Sequence, residues 1–399
     1  MFFSISTDKF DDRFFNHTQI SKYFISLDAG WNQTVVNSKQ VIYKGYCDSK
    51  DMLEVAADFS VNAEPKYYGN FAVIVIDDDS LTLSHDLTRS FPLTIDTDGF
   101  LTNITKKNSA KSIWADRYVI YHNTEIEFKI FDPYCDIDGD FENRLSMSQC
   151  IKKINDIIVE KLNFVNTVSL PKKIFLTAGI DTTLLYAIAN KNFKDVELVT
   201  YEHVDYNNFL LLNYHPIKNE YAVYNQMQCW KSPTLLFSGA PGDEYFMRGP
   251  YVSGLWAAWH NIDLLQRLQH SNHYHQKHFF KESCRLSITE SFQQKSAISQ
   301  QYTNYTDLCW QILNICANDH QMWHLNNTLT WTPYKDLRIL ATVLRLETED
   351  LLEQITNATL SKQLIANYDA TALDIISCYK NHKSFENFLK IPKFKNLFE

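Results

Sequence analysis

Several large classes of protein are excluded by what this sequence lacks. It has no C-x-x-C pair. The eight cysteines (Cys47, Cys135, Cys150, Cys229, Cys284, Cys309, Cys316 and Cys378) are scattered. That pattern speaks against a zinc ribbon or a disulfide framework and for core thiols in a reducing compartment. No window reaches the roughly 18 unbroken apolar residues of a membrane span. Met1-Phe2-Phe3-Ser4 lacks the basic start of a signal peptide. A cytoplasmic protein without membrane association is expected. There is no basic excess either: 38 Lys and Arg stand against 47 Asp and Glu, a net charge of −9. This argues against a general nucleic-acid surface, though not against a local basic site. Internal repeats and low-complexity segments are also absent.

What is present suits a protein with real cores. At about 150 residues per domain, 399 residues suggest two domains or three, and 45% hydrophobic content lets each bury a core. Residues 1 to about 135 read as short strands: Val41–Tyr46, Phe71–Ile76, Leu81–Ser84, Tyr118–Tyr121 and Ile126–Phe131 are rich in β-formers. Asp77-Asp78-Asp79-Ser80 and Asp96-Thr97-Asp98-Gly99 have hairpin-turn chemistry. Residues 136–146 are acidic and polar, a linker. Ser146 and Gln149 then fit a capping box, and Ile151, Ile154, Ile157, Ile158 and Leu162 repeat at helical spacing.

The stretch with the most chemistry follows. Ile174 to Leu176 is a short apolar run of the kind that makes a buried parallel strand. Thr177-Ala178-Gly179-Ile180-Asp181-Thr182-Thr183 comes next, then a helical pattern with Leu184, Leu185 and Ile188 on one face. A strand, a small-residue turn and a helix gather backbone N–H groups, two hydroxyls and a helix N-terminus at one point, which suits phosphate. Asp181 would repel phosphate there unless Mg²⁺ lay between them. Val196–Tyr201 reads as a second strand, so a βαβ unit with parallel strands is expected, its ligand at the strands' C-terminal ends. Ser232–Ser238 repeats the theme: a buried-type strand ends in Gly239-Ala240-Pro241-Gly242 and the carboxylates Asp243 and Glu244.

These pieces resemble the asparagine synthetase family. The 177–183 segment is similar to the Ser-Gly-Gly-aliphatic-Asp-Ser-Ser loop of the ATP pyrophosphatases, and the 238–246 segment to the family's second nucleotide loop. Trp331-Thr332-Pro333-Tyr334-Lys335-Asp336 resembles its Arg-x-Pro-aromatic-x-Asp segment, and Lys380-Asn381-His382-Lys383-Ser384-Phe385 its basic tail. In the first half, Gly69, Phe71, Ala72, Asp77, Asp86, Pro92 and Leu93 match the class II glutamine amidotransferase domain, while His85 and Arg89 depart from it. These pieces occur in family order.

The resemblance implies an α/β protein in two domains. Residues 1–140 would be an amidotransferase-like, mostly β sandwich, and 141–399 a parallel-sheet ATP pyrophosphatase domain. It implies an ATP-dependent ligase that adenylates a carboxylate and forms an amide with an amine. ATP would sit on Thr177, Ala178, Gly179, Ile180, Asp181, Thr182 and Thr183, with Tyr201 (or Glu202) at adenine and Gly239, Gly242, Asp243 and Glu244 on the other side. Asp181 and Asp243 would share Mg²⁺. A basic residue of the tail would neutralise charge as pyrophosphate leaves: strict spacing selects His382, with Lys383 favoured and Lys380 close by.

Departures bear on the activity. The family's glutaminase needs an N-terminal cysteine, whose thiol is paired with its own α-amine. Phenylalanine follows Met1 here, and Ser4 is internal. No counterpart of the family's Asn-Gly-Glu segment is found. The first half is therefore expected to be a scaffold, as in beta-lactam synthetase and lasso-peptide cyclases. Ala240 replaces an acidic residue thought to help the ammonia nucleophile lose its proton. Asp181 to Gly239 spans 58 positions, fewer than an asparagine synthetase would have, and Trp331 in place of arginine hints at a changed substrate. Alternatives are an intramolecular amide-forming cyclase and a non-catalytic nucleotide-binding protein. Oligomeric state is open, a homodimer being one option. Residues 250–330 read as helical, with Leu255, Trp259, Ile262, Leu265 and Leu268 on one face and Leu308, Ile312, Ile315 and Cys316 on another. His270, His273, His275 and His278 lie between these faces and read as a solvated loop.

Overall fold

The structure is a computed structural model. It describes residues 3–14, 16–91, 93–103, 111–113, 115, 117–122, 124–131, 143–176, 179–199, 233–248 and 328–375. Its first part is β1 (Phe3–Ser6), β2 (Asn16–Ile20), β3 (Tyr23–Leu27), β4 (Asn32–Val36), β5 (Lys39–Cys47), helix α1 (Met52–Val61), β6 (Gly69–Ile76), β7 (Ser80–His85), β8 (Thr94–Ile95), β9 (Leu101–Thr102), β10 (Lys111–Ser112), β11 (Arg117–His122) and β12 (Glu125–Ile130). Among the described residues these strands form two antiparallel sheets, ordered β10-β8-β9-β1-β3-β2 and β12-β11-β7-β6-β5-β4. Phe3, Ile5, Tyr23 and Ile25 of one sheet share a core with Ile42, Ile74, Leu83 and Val119 of the other. On the far side of β5 and β6, Val41, Val73 and Val75 pack against Val55, Ala56 and Phe59 of α1. β6 is thus covered on both faces, which is why it reads as an unbroken apolar run.

The sequence pattern marks β5, β6, β7, β11, β12 and both hairpins, but not α1, the buried strands β1 and β3, the short strands β8, β9 and β10, or the edge strands β2 and β4. Those two strands are polar and largely exposed, so no alternation betrays them. Helix α1 starts at Asp51, whose carboxylate accepts from the Leu53 N–H at 2.8 Å.

The second part opens with α2 (Met147–Thr167), which carries the expected capping box at Ser146 and Gln149. Replacing Ser146 by alanine removes the acceptor for the Gln149 N–H and should cost about 1 kcal/mol in urea unfolding. The third sheet follows: β13 (Lys172–Phe175), β14 (Val196–Val199), β15 (Thr234–Phe237) and β16 (Thr328–Trp331), all parallel in the order β14-β13-β15-β16. α3 (Ile180–Asn192) connects β13 to β14, the expected βαβ unit. Among the described residues the remaining α-helices are α4 (Gly242–Tyr245), α5 (Leu337–Leu344), α6 (Thr348–Asn357) and α7 (Thr359–Asp369).

Two expectations need correction here. Residues 328–330 belong to a strand, not a helix, because Thr328, Leu329 and Thr330 pair with Thr234, Leu235 and Leu236. α3 buries all of Thr182 to Ala189 rather than one face, since it is packed between the sheet and α7. The amphipathic faces and the histidines of the 250–327 stretch lie outside the described residues. Cys47 and Cys150 are free and buried, as core thiols. Among the described residues no helix is long and apolar enough to cross a membrane.

The antiparallel and parallel parts meet along a packed seam. The Tyr46 ring stacks on Phe164 of α2, centroids 4.5 Å apart and 14° from parallel. Beside it, Lys161 is 3% exposed and pairs with Asp48, and its ammonium lies 3.8 Å from Asp336. Asp336 also accepts from Arg338 at 2.7 Å and caps α5. The Tyr68 ring takes Lys161 on its face at 5.4 Å and Arg338 at the same distance.

Candidate functional site

The candidate site lies where β13 and β15, neighbours and parallel, reach their C-terminal ends. After β13 the chain turns through Gly179, which caps α3 in an extended conformation without a side-chain hydrogen bond. That leaves the first N–H groups of α3 without a side-chain cap. Asp181 is in the first turn. After β15 the chain passes Ser238, Gly239, Ala240 and a cis Ala240–Pro241 bond into α4.

Two glycines let these loops close on each other. A Cβ on Gly239 would lie 2.8 Å from Thr182 Cγ2 and 3.1 Å from its backbone nitrogen. One on Gly242 would lie 2.4 Å from Asp181 Cγ. Both were expected as nucleotide contacts; the role the geometry gives them is close approach of the two loops.

The result is a triad. The Arg248 Nη2 donates to Asp181 Oδ1 and forms an ion pair with Asp243 Oδ1 at 2.8 Å. The Arg248 and Asp181 side chains are 10% and 16% exposed, that of Asp243 54%. Burial pushes the Asp181 carboxyl well above its ordinary range; Arg248 opposes this and the like charge of Asp243 adds to it. Burial would lower the guanidinium, but Asp181 and Asp243 together hold it above its usual value. Tyr334 closes the floor. Its hydroxyl donates to the Asp181 carbonyl at 2.7 Å, and its ring meets Phe246 edge-on at 5.5 Å. Gln354 of α6 donates to the Phe246 carbonyl at 3.0 Å and to Ser361 Oγ of α7 at 3.0 Å. The Tyr334 segment and helices α6 and α7 are thereby tied to one loop pair.

Asp181 and Asp243 are brought together, as are Gly179, Ile180, Thr182, Thr183, Gly239, Gly242 and Glu244 around them. Ile180 is half-buried against the core, and Thr183 is wholly buried, its hydroxyl without a hydrogen-bond partner among the described residues. Thr177, Ala178, Tyr201, Glu202, Lys380, His382 and Lys383 lie outside the described residues. Trp331, expected on the substrate side, is 1% exposed and packs on Phe237 at 5.2 Å. Arg248, Gln354 and the backbone bond of Tyr334 were not anticipated. An arginine between Met247 and Gly249 carries no periodic signal; only its two carboxylate partners reveal it.

The divalent ion implied by the resemblance does not fit this arrangement. The guanidinium already bridges both carboxylates, and among the described residues no group of three or more His, Cys, Asp or Glu could hold a metal.

In the antiparallel part, the region around Phe3 is filled. Phe3 is buried, its N–H donates to Asn103 Oδ1 at 2.9 Å, and its ring meets Phe91 and Trp31 edge-on at 5.6 and 6.0 Å. Ser4 is buried in the same strand. Asp86 organises the following turn, accepting from Thr88 Oγ1 at 2.8 Å and the Ser90 N–H at 3.0 Å.

No family model matches the chain, and no curated protein matches it. Solved structures similar to it include the allosteric regulatory enzyme of purine biosynthesis, 9% identical with a TM-score of 0.21 over 39% of this chain and 46% of that one. Another is glutamine phosphoribosylpyrophosphate amidotransferase from B. subtilis complexed with ADP and GMP, also 9% identical with a TM-score of 0.21. It covers 62% of this chain and 65% of that one. The chain spans less than two thirds of either, and likenesses this slight carry no functional weight.

Proposed function

We propose that this chain is an ATP-dependent amide-forming ligase of the asparagine synthetase type, its antiparallel part a scaffold without glutaminase activity. One observation supports the reading above the others: two small-residue loops, each following a strand of the same parallel sheet, close on each other so that Asp181 and Asp243 share one cation. Ligands of such sheets bind at this edge. The N-terminus of α3, which no side chain of its cap residue Gly179 closes, is of the kind that receives phosphate. Burial of Phe3 against the Phe91 and Trp31 rings supports a scaffold role for this part.

In the proposed reaction a substrate carboxylate oxygen attacks the α-phosphorus of ATP. The bond to the bridging oxygen breaks and pyrophosphate departs with the electron pair. An amine nitrogen then attacks the acyl carbon, AMP leaves, and the amine loses a proton. The chain's part is positioning by the two loops and charge neutralisation by Arg248 and by Lys383, His382 or Lys380. No step here is routed through a metal.

The first test is ATP binding by equilibrium dialysis. Wild type should bind, and Arg248→Ala, which removes the cation that would face the phosphates, should bind about tenfold or more weakly, a loss of roughly 1.4 kcal/mol. Absence of ATP binding by the folded wild type would overturn the proposal. For a binder, ATP–pyrophosphate exchange with a panel of carboxylates then separates a ligase from a non-catalytic nucleotide protein. Product mass with and without ammonia separates an external amine from one carried by the substrate.

A further inference from the structure

We propose that Arg248 is a built-in cation. It holds the place between Asp181 and Asp243 that a divalent ion would take, so this carboxylate pair binds no metal and meets a ligand's phosphate through a guanidinium. The ligand's identity rests on the nucleotide reading above; the exclusion of metal does not.

The geometry is specific. One nitrogen, Nη2, donates to Asp181 Oδ1 and is ion-paired with Asp243 Oδ1. With the Asp243 contact at 2.8 Å and the Asp181 contact also direct, no gap remains for an ion. Mg²⁺ demands near-octahedral oxygen ligation and keeps several waters, so it needs space as well as charge. It would have to expel a guanidinium that is 10% exposed, against its bonds to both acids. Nor could it sit alongside, since a second cation there meets like charge.

The arginine is also held by its own backbone. Two residues past the end of α4, Met247 lies in the left-handed region, φ 58°, a conformation that residues with a side chain adopt rarely. The Met247 N–H donates to the Glu244 carbonyl at 3.1 Å and the Arg248 N–H to the Asp243 carbonyl at 2.7 Å. This turn folds Arg248 back onto the carboxylates rather than out to water. Met247 is itself fully buried, which fixes the turn.

One further atom points to a ligand. The Arg248 Nε is buried with no hydrogen-bond partner among the described residues. Buried donors are almost always satisfied, and a guanidinium offers five N–H groups in a planar fork that matches phosphate oxygens. Mg²⁺ would offer coordination without that fork, so a site built on Arg248 distinguishes bound anions by hydrogen-bond geometry.

The test needs no nucleotide. Mn²⁺ is titrated against the full chain and free ion is read by electron paramagnetic resonance, with far-UV circular dichroism confirming folding. Wild type should leave Mn²⁺ free up to about 1 mM. Arg248→Gln, which removes the charge and keeps polarity, should bind one equivalent at least about tenfold more tightly. Adding Asp181→Asn to that variant should abolish the gain, and Arg248→Lys should stay metal-free. Mn²⁺ bound by wild type and lost with Asp181→Asn would overturn the proposal, as would a folded Arg248→Gln that gains nothing. If Arg248→Gln does not fold, the wild-type titration against Asp181→Asn decides alone. A protein that never binds ATP can still pass, so this inference and the ligase reading fail separately.

Discussion

Replacing Lys161 by alanine should destabilise the protein by about 3–5 kcal/mol, the cost typical of breaking a buried charge pair from one side. Lys161 is 3% exposed and faces Asp48 on the antiparallel side and Asp336 on the parallel side, themselves 11% and 0% exposed. Without the ammonium these acids are left buried with less compensation, and Asp336 relies on Arg338 alone. Lys161→Met keeps the stem and removes only the charge, so a similar loss would assign the effect to electrostatics. Pairing it with Asp48→Asn should recover part of the stability, since one uncompensated acid is then gone. Urea unfolding measures all three. A change below about 1 kcal/mol for Lys161→Ala would place the cluster among weak surface pairs. The pH dependence has a definite sign. Burial would lower the Lys161 ammonium, but Asp48 and Asp336 raise it above its ordinary value. Its contribution is therefore whole below the unfolded value near 10.4 and is lost only as pH climbs through the higher folded one.

Gly45→Ala should have a comparable effect, roughly 2–5 kcal/mol, by a backbone mechanism. Gly45 has φ +115°, where a side chain is strained. A Cβ there would lie 2.0 Å from the Asn70 carbonyl oxygen and 2.6 Å from Phe71 Cα. Those are backbone atoms of β6, the most deeply buried strand of its sheet, and they have no rotamer with which to step aside. Left-handed strain and overpacking each cost about 1–3 kcal/mol. Thermal or urea unfolding would show the loss. A shift within about 0.5 kcal/mol would mean that β5 and β6 separate more easily than their pairing suggests. Asn70 also donates to the Thr330 carbonyl of β16 at 3.4 Å, so movement of β6 would reach the sheet that carries the candidate site.

The parts of this molecule legible in its sequence are those whose signal is local. The capping box at Ser146 and Gln149 is spelled out within four residues. The apolar runs of β6 and β13, each ending in turn chemistry, announce strands, and the carboxylates after small-residue turns announce Asp181 and Asp243. β2 and β4 escaped because edge strands exposed to water need no alternation. β16 escaped because Thr328 to Trp331 is short and follows a helical pattern. Arg248 and Lys161 escaped for another reason. Their partners lie 67 and 113 positions away, and a charged residue buried by distant acids looks in sequence like any solvated one. Lys161 even falls within a helix whose isoleucines draw attention to a different set of positions.

The stacked Tyr46 and Phe164 rings have a practical consequence. Tyr46 comes from the antiparallel part, yet it belongs to the hydrophobic cluster of the parallel sheet. A truncation between residues 131 and 143 would strip an aromatic lid from one fragment and leave an oily scar on the other. Neither half should be studied as an isolated module, and any dissection of this molecule is better made by point substitution in the intact chain.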